Sequence, residues 1–203
     1  MNIKMIDYTL RPIDKISKAA GTSYRKNDAS YKRLDHCFKN GHMSVFEFAY
    51  FTARIEGISR ACSHQLVRHR HASFVQESQR YTKIEGDDWY VIPDAYFPAG
   101  EHFYRAAMED ARKHYEHALT HGIKPEDARF LLPEATKTNI TMCMNVRELF
   151  HFLNLRTDKS AQWEIRDLAN EIKDQCKGIN EQWKQLIELW EGQHEEQTVS
   201  LPS

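Results

Sequence analysis

The chain lacks the features that most quickly assign a function. Its eight glycines form no G-x-G pair. Neither a Rossmann fingerprint nor a P-loop is therefore present, and no glycine turn stands ready to cradle phosphate. No G-x-S-x-G elbow occurs, which removes the usual nucleophile of α/β-hydrolases. The four cysteines, Cys37, Cys62, Cys143 and Cys176, are widely spaced and make no C-x-x-C pair. That argues against a zinc site and a disulfide framework, and fits a reduced, cytoplasmic protein. No apolar run is long enough for a signal peptide or a membrane span. Net charge is −1 over 203 residues, so no overall basic field exists to hold nucleic acid or an anionic membrane.

What is present is ordinary globular composition, 41% hydrophobic and 28% charged. Residues 3–9 alternate weakly as a strand would, and Pro12 opens a short helix to Ala20. A second helix, "ASYKRLDHCFKNGH", is closed by Gly41. "FEFAYFTARIEG" is rich in aromatic and β-branched residues and reads as a strand ending at Gly57. The helix after it, "ISRACSHQLVRHRH", places Ile58, Cys62 and Leu66 at helical spacing. Residues 80–92 read as extended, and a long amphipathic helix ends at Gly122. Further helices are expected in "KPEDARFLL" (stopped before Pro133), "NVRELFHFLNLR" and "SAQWEIRDLANEIKDQC". With no repeat or linker, the expectation is one helix-rich α+β catalytic domain over residues 1–192. The remainder, 193–203, reads as a polar, disordered tail.

One stretch stands out against the neutral background. "RHRHASFVQESQRY", Arg68 to Tyr81, holds three arginines and two histidines with Glu77 as its only acid. Gln65, Arg68 and His69 fall at i, i+3 and i+4, one face of the expected helix. Guanidinium forks beside imidazoles and the hydroxyls of Ser73 and Ser78 suit phosphate or a polar heterocycle. Each residue alone is consistent with a solvated basic helix end; together they favour an anion or nucleotide site. His64, His69 and His71 are close in sequence, but neighbouring arginines repel a dication, so no metal is expected. A second polar stretch carries Asn145, then Arg147 and His151 at i, i+4, and closes on Arg156. Glu126 and Arg129 read as a weak i, i+3 surface pair.

These stretches resemble the signature of the flavin-dependent thymidylate synthases, RHRxxSxxxxSxR. It is met by Arg68, His69, Arg70, Ser73, Ser78 and Arg80. "GHMSVFEF" is similar to the family's upstream GHxSxFEH block, and "NVRELFHFLNLRTDKSAQWEIR" to its downstream block. The likeness runs from about Ala19 to Gln175. Phe48 replaces the family's usual histidine, while Val75 and His151 stand where many members have asparagine.

The resemblance implies the family's fold, in which a central antiparallel or mixed sheet lies in a helix-rich domain. It implies a homotetramer with sites between subunits. It also implies an enzyme that makes dTMP from dUMP, with methylenetetrahydrofolate as carbon donor, FAD as hydride carrier and NADPH as reductant. By the same resemblance Ser23, Ser44 and Glu47 would hold FAD, together with Arg68, His69, Arg70 and His71 of the signature. Asn145, Arg147 and His151 would join them. Gln65, Arg68, Gln76, Ser78, Gln79, Arg80, Arg129 and Arg156 would hold dUMP. Arg156, Ser78 and Arg80 would lie at the reacting nucleotide, with Arg156 stabilising charge at a carbonyl edge of the uracil. No cysteine follows a proline, unlike the Pro-Cys-His nucleophile of the cysteine-dependent class. The competing reading is a non-enzymatic RNA- or nucleotide-binding module, against which the near-zero charge weighs.

Overall fold

In the computed structural model of the chain, residues 1–199 are described in backbone, and side-chain surroundings for residues 1–193. Four strands form one sheet in the order β1-β2-β4-β3: β1 (Asn2–Tyr8), β2 (Tyr50–Ser59), β3 (Ala72–Gln76) and β4 (Lys137–Asn145). The Thr9 N–H donates to the Tyr50 carbonyl while Asn2 reaches Glu56, so β1 and β2 run antiparallel. The Val146 N–H donates to the Ala49 carbonyl and the Gly57 N–H to the Asn139 side chain, so β2 and β4 do too. The helices are α1 (Pro12–Gly21), α2 (Tyr31–Lys39), α3 (Arg60–Leu66), α4 (Glu101–Thr120), α5 (Pro125–Ala128), α6 (Val146–Arg156), α7 (Trp163–Ile179) and α8 (Glu181–Val199).

The chain divides into two compact units. One comprises Met1–Asn2, Ile55–Leu66 and Val75–Ile140. Its core gathers Trp89, Tyr90 and Met108, with Tyr104 and Leu132 packed against them. The other comprises Ile3–Arg54, Val67–Phe74 and the chain from Thr141 onward. There Phe38, Phe46 and Phe150 meet with ring centroids 5.4 to 5.7 Å apart. Trp183 is fully buried, lies edge-on to Phe51, and donates its indole N–H to the Thr9 carbonyl at 2.9 Å. Burying such a ring with its one donor satisfied is how an aromatic anchors a core without a polar penalty.

Several expectations hold and others shift. Ser30 caps α2 by accepting from the Arg33 N–H, and Gly41 ends it at φ 70°, a left-handed conformation that costs glycine little. Gly122 closes α4 in the same way. The strand expected from Phe46 starts later: Met43–Phe48 is 3-10 helix, and β2 begins at Tyr50. Ile58, Cys62 and Leu66 are fully buried, as their spacing predicts, although Ile58 belongs to β2. The helix expected to reach His71 stops at Leu66. Residues 80–92 contain one isolated bridge, Tyr90 to Thr136, rather than a strand. α8 extends to Val199, into the stretch expected as a tail, and residues 200–203 of that tail lie outside the described residues. No helix among the described residues is long and apolar enough to cross a membrane.

Candidate functional site

In the second unit the site is organised by the junction of β4 and α6. β4 alternates strictly, with Thr138, Ile140, Met142 and Met144 inward, and delivers Asn145 to the helix start. Asn145 is the N-cap: its side-chain oxygen accepts from the Glu148 N–H at 2.9 Å. Val146, Leu149, Phe150, Phe152 and Leu153 bury one side of α6. Arg147 and His151 remain exposed on the other side. Arg147 pairs with Glu47 at 2.5 Å. A cavity of about 400 Å³ opens here, lined by Glu47, His71, Asn145, Arg147, Glu148 and His151. Five of these six residues are among those the family signature nominates for the flavin; Glu148 is the addition.

The expected shared face of Gln65, Arg68 and His69 does not form, because α3 ends at Leu66. The chain turns instead, and the Ala72 N–H donates back to the His69 carbonyl at 3.1 Å. Arg68, Arg70 and His71 are left exposed while His69 points inward, 3% exposed. His69 Nδ1 lies 3.1 Å from Glu148 Oε1, and its Nε2 accepts from Arg156 Nε at 3.2 Å. Phe152 packs edge-on against the ring at 5.0 Å and His151 at 5.7 Å. Burial holds His69 below the usual histidine value; the Glu148 hydrogen bond opposes this and the Arg156 charge adds to it.

The ligand atoms of His69, Glu148 and His151 lie within 4.8 Å of one another, near enough for a metal ion. However, Arg156 takes the Nε2 lone pair of His69 and Glu148 engages its Nδ1, so the ring has no electron pair to offer a cation. Of the other two histidines close in sequence, His64 pairs with Glu134 at 3.3 Å and His71 lines the cavity. Ser23 lies in the 3-10 turn Thr22–Tyr24 and Ser44 in Met43–Phe48; both are exposed.

In the first unit a cavity of about 320 Å³ is lined by Arg60, His64, Gln79, Arg129 and Glu134, among others. Gln79 and Arg129, both nominated for the nucleotide, meet there. Glu126 and Arg129 do not form the surface ion pair that spacing predicts. Arg129 Nε donates to the Glu126 main-chain carbonyl, and the Glu126 carboxylate takes Arg80 instead, at 2.9 Å. Gln76 is occupied internally, donating to Ser63 and Thr138. Ser78 anchors a turn: its carbonyl accepts from the Tyr81 and Thr82 N–H groups, and its hydroxyl from the Arg80 N–H. Gln65 is half-buried in α3. Arg60, absent from the sequence expectations, lines this cavity and a larger one of about 790 Å³, where Gln79 and Trp89 also stand. Arg60 Nε, Gln79 Nε2 and Trp89 Nε1 are buried there without a partner. Burial, aided by Arg129, lowers the Arg60 value, while Glu77 opposes it. Nothing in the sequence distinguished Arg60 from a solvated helix-end cation.

Known proteins similar to this chain share one description. A flavin-dependent thymidylate synthase from Pyrococcus furiosus is 40% identical over 186 residues, covering 83% of this chain and 76% of that protein. One from Geobacter sulfurreducens is 48% identical over 142 residues, covering 68% and 61%. Among solved structures, the flavin-dependent thymidylate synthase ThyX from Helicobacter pylori complexed with FAD and dUMP superposes with a TM-score of 0.72. It shows 28% identity over 86% of this chain and 93% of that one. Residues 4–180 match the family described as "Thymidylate synthase complementing protein", and on these grounds the chain belongs to the flavin-dependent thymidylate synthase family.

Proposed function

We propose that the chain converts dUMP to dTMP, with FAD held at the α6 cavity, methylenetetrahydrofolate as carbon donor and NADPH as reductant. The observation that carries this reading is the cavity in which Glu47, His71, Asn145, Arg147 and His151 converge. Its donor set fits the cofactor: a guanidinium for a phosphate, and two imidazoles and an amide for ring carbonyls and nitrogens. Such a set can hold a dinucleotide without a glycine-rich turn. FAD bound there would carry hydride between the reductant and the one-carbon unit on the nucleotide.

The chain's own residues do the rest. Arg68 and Arg70 stand exposed beside the cavity residue His71 and add positive charge for phosphate. Ser23 and Ser44 offer hydroxyls. Gln65, Ser78, Gln79, Arg80 and Arg129 bind and orient dUMP, and Gln76, whose amide nitrogen is held by Ser63 and Thr138, can contribute only its side-chain carbonyl oxygen as an acceptor. The Arg80–Glu126 pair is exposed, so exchanging Glu126 for a nucleotide phosphate costs little. Arg156, its Nε fixed on His69, stabilises negative charge on the uracil as the ring becomes a carbon nucleophile. Methylation proceeds without a cysteine nucleophile. Cys37, Cys62 and Cys176 are buried, and burial pushes the Cys37 and Cys176 thiols up, away from the reactive thiolate.

The working form is a cytoplasmic homotetramer with sites completed between subunits. Edge strand β1 leaves Ile6 and Tyr8 exposed, apolar surface that another copy would cover. The decisive experiment is an absorption spectrum of purified protein before and after NADPH, followed by product analysis with dUMP and methylenetetrahydrofolate. A folded, FAD-supplemented sample with neither a bleaching flavin band nor thymidylate would refute the reading. Co-assembling inactive Arg70→Ala and Arg156→Ala chains tests the shared sites: partial recovery is expected, and none in confirmed mixed assemblies counts against them.

A further inference from the structure

Glu148 is an acid in the first turn of α6, yet its side chain is not turned to solvent; the residue is 5% exposed. A carboxylate in such a place needs a partner. Its partner is His69, itself 3% exposed, and the partner of His69 is Arg156. Arginine can only donate, so the imidazole nitrogen facing Arg156 Nε must be the acceptor. A neutral ring then carries its single proton on Nδ1, and the Glu148 oxygen at 3.1 Å accepts it. The direction of every hydrogen bond in the row is therefore fixed: Arg156 Nε–H to His69 Nε2, and His69 Nδ1–H to Glu148. Phe152 closes one side of the imidazole, so the ring has little room to turn.

We infer that Glu148 is a positioning residue for the reaction: by holding the proton of His69 on Nδ1, it keeps Nε2 open to Arg156 and sets the plane of that guanidinium. This rests on the reading above that Arg156 acts on the nucleotide ring. Were the proton on Nε2, two donors would face each other at 3.2 Å and Arg156 would be driven off. A shift of about 1 Å in a group aimed at the reacting centre can cost on the order of a hundredfold in rate.

The test uses the full chain loaded with FAD. Glu148→Leu is close in volume and removes the acceptor; Glu148→Gln removes the charge and keeps an oxygen to receive Nδ1–H. Glu148→Leu should lower kcat/KM for dUMP by about ten- to a hundredfold. Glu148→Gln should recover most of the loss, with every variant assayed at saturating FAD so that a change in cofactor affinity does not enter kcat/KM. In the Arg156→Ala background, Glu148→Leu should add little further loss, because the group it positions is gone. Nitrogen NMR of histidine-labelled protein, with the His69 signals assigned by His69→Gln, supplies a readout independent of turnover. The parent protein and Glu148→Gln should show a neutral ring protonated at Nδ1, and Glu148→Leu a ring protonated at Nε2. A parent His69 protonated at Nε2 overturns the inference even if Glu148→Leu does not fold. So does a folded Glu148→Leu protein with undiminished kcat/KM. An Arg156→Ala protein that still makes thymidylate would sink the underlying reading instead, whereas an inactive Arg156→Ala beside an active Glu148→Leu sinks only the positioning role.

Discussion

Replacing Arg147 by alanine separates binding from folding at the α6 cavity. Arg147 is the second residue after the N-cap Asn145, in the first turn of α6. A cation there opposes the helix dipole and costs the fold roughly 0.3–1 kcal/mol. Its ion pair with Glu47 is about half exposed, 53% for Arg147 and 45% for Glu47. Solvent screening limits such a pair to about 0–1 kcal/mol. The two contributions nearly cancel, so Arg147→Ala should leave the melting temperature within a few degrees of the parent. Its effect on FAD should be far larger. A charge-assisted hydrogen bond to a phosphate or carbonyl is worth about 1.5–3 kcal/mol, and each 1.4 kcal/mol is about tenfold in Kd. The expected loss is therefore about ten- to a hundredfold in affinity, compounded by leaving the Glu47 carboxylate facing an anion. Titration of the apoprotein with FAD, followed by flavin fluorescence, measures it; a parallel melt reports folding. An unchanged Kd would remove Arg147 from the flavin site. A melting temperature that collapses along with affinity would show instead that the residue is structural and that the two contributions do not cancel.

Two further outcomes follow from burial. Alanine at each cysteine in turn should leave thymidylate formation largely intact, with the fully buried Cys62 and Cys176 costing on the order of 1 kcal/mol in a denaturant melt; a folded cysteine variant that binds both ligands and makes no product would overturn the mechanism. His69 is held below its ordinary value, chiefly by burial and then by Arg156, against the pull of Glu148. Below about pH 6.5 the unfolded chain therefore gains a proton that folded His69 refuses. The stability this site contributes is present above that pH and is lost as pH falls, by at most about 1.4 kcal/mol per pH unit. A His69→Gln protein should show a shallower loss of melting temperature between pH 6.5 and 5 than its parent, and equal slopes would refute the assignment.

Much of the site could be read from the sequence because its chemistry is carried by residue types at fixed spacing. The arginines and histidines of residues 68–80, and Asn145, Arg147 and His151 at the start of a helix, announce themselves as polar groups in a neutral chain. Helices with strong punctuation were equally plain: Pro12 opens α1, Gly41 closes α2 and Gly122 closes α4, because backbone constraints at proline and glycine act locally. β4 went unnoticed because "KTNITMCMN" alternates between buried positions and half-buried polar ones, a contrast visible only once its neighbours cover one face. "LVRHRH" has no local breaker to mark the end of α3; the helix stops at Leu66, and His69 beyond it meets Glu148, 79 residues further along the chain. Glu126 likewise looked like the partner of Arg129, three residues away, until folding brought Arg80 to its carboxylate. The sequence alone thus determined which charges this protein carries and the local stops of its helices. Tertiary structure alone decided which charges are buried together, since desolvation and hydrogen-bond direction depend on neighbours that chain order does not reveal.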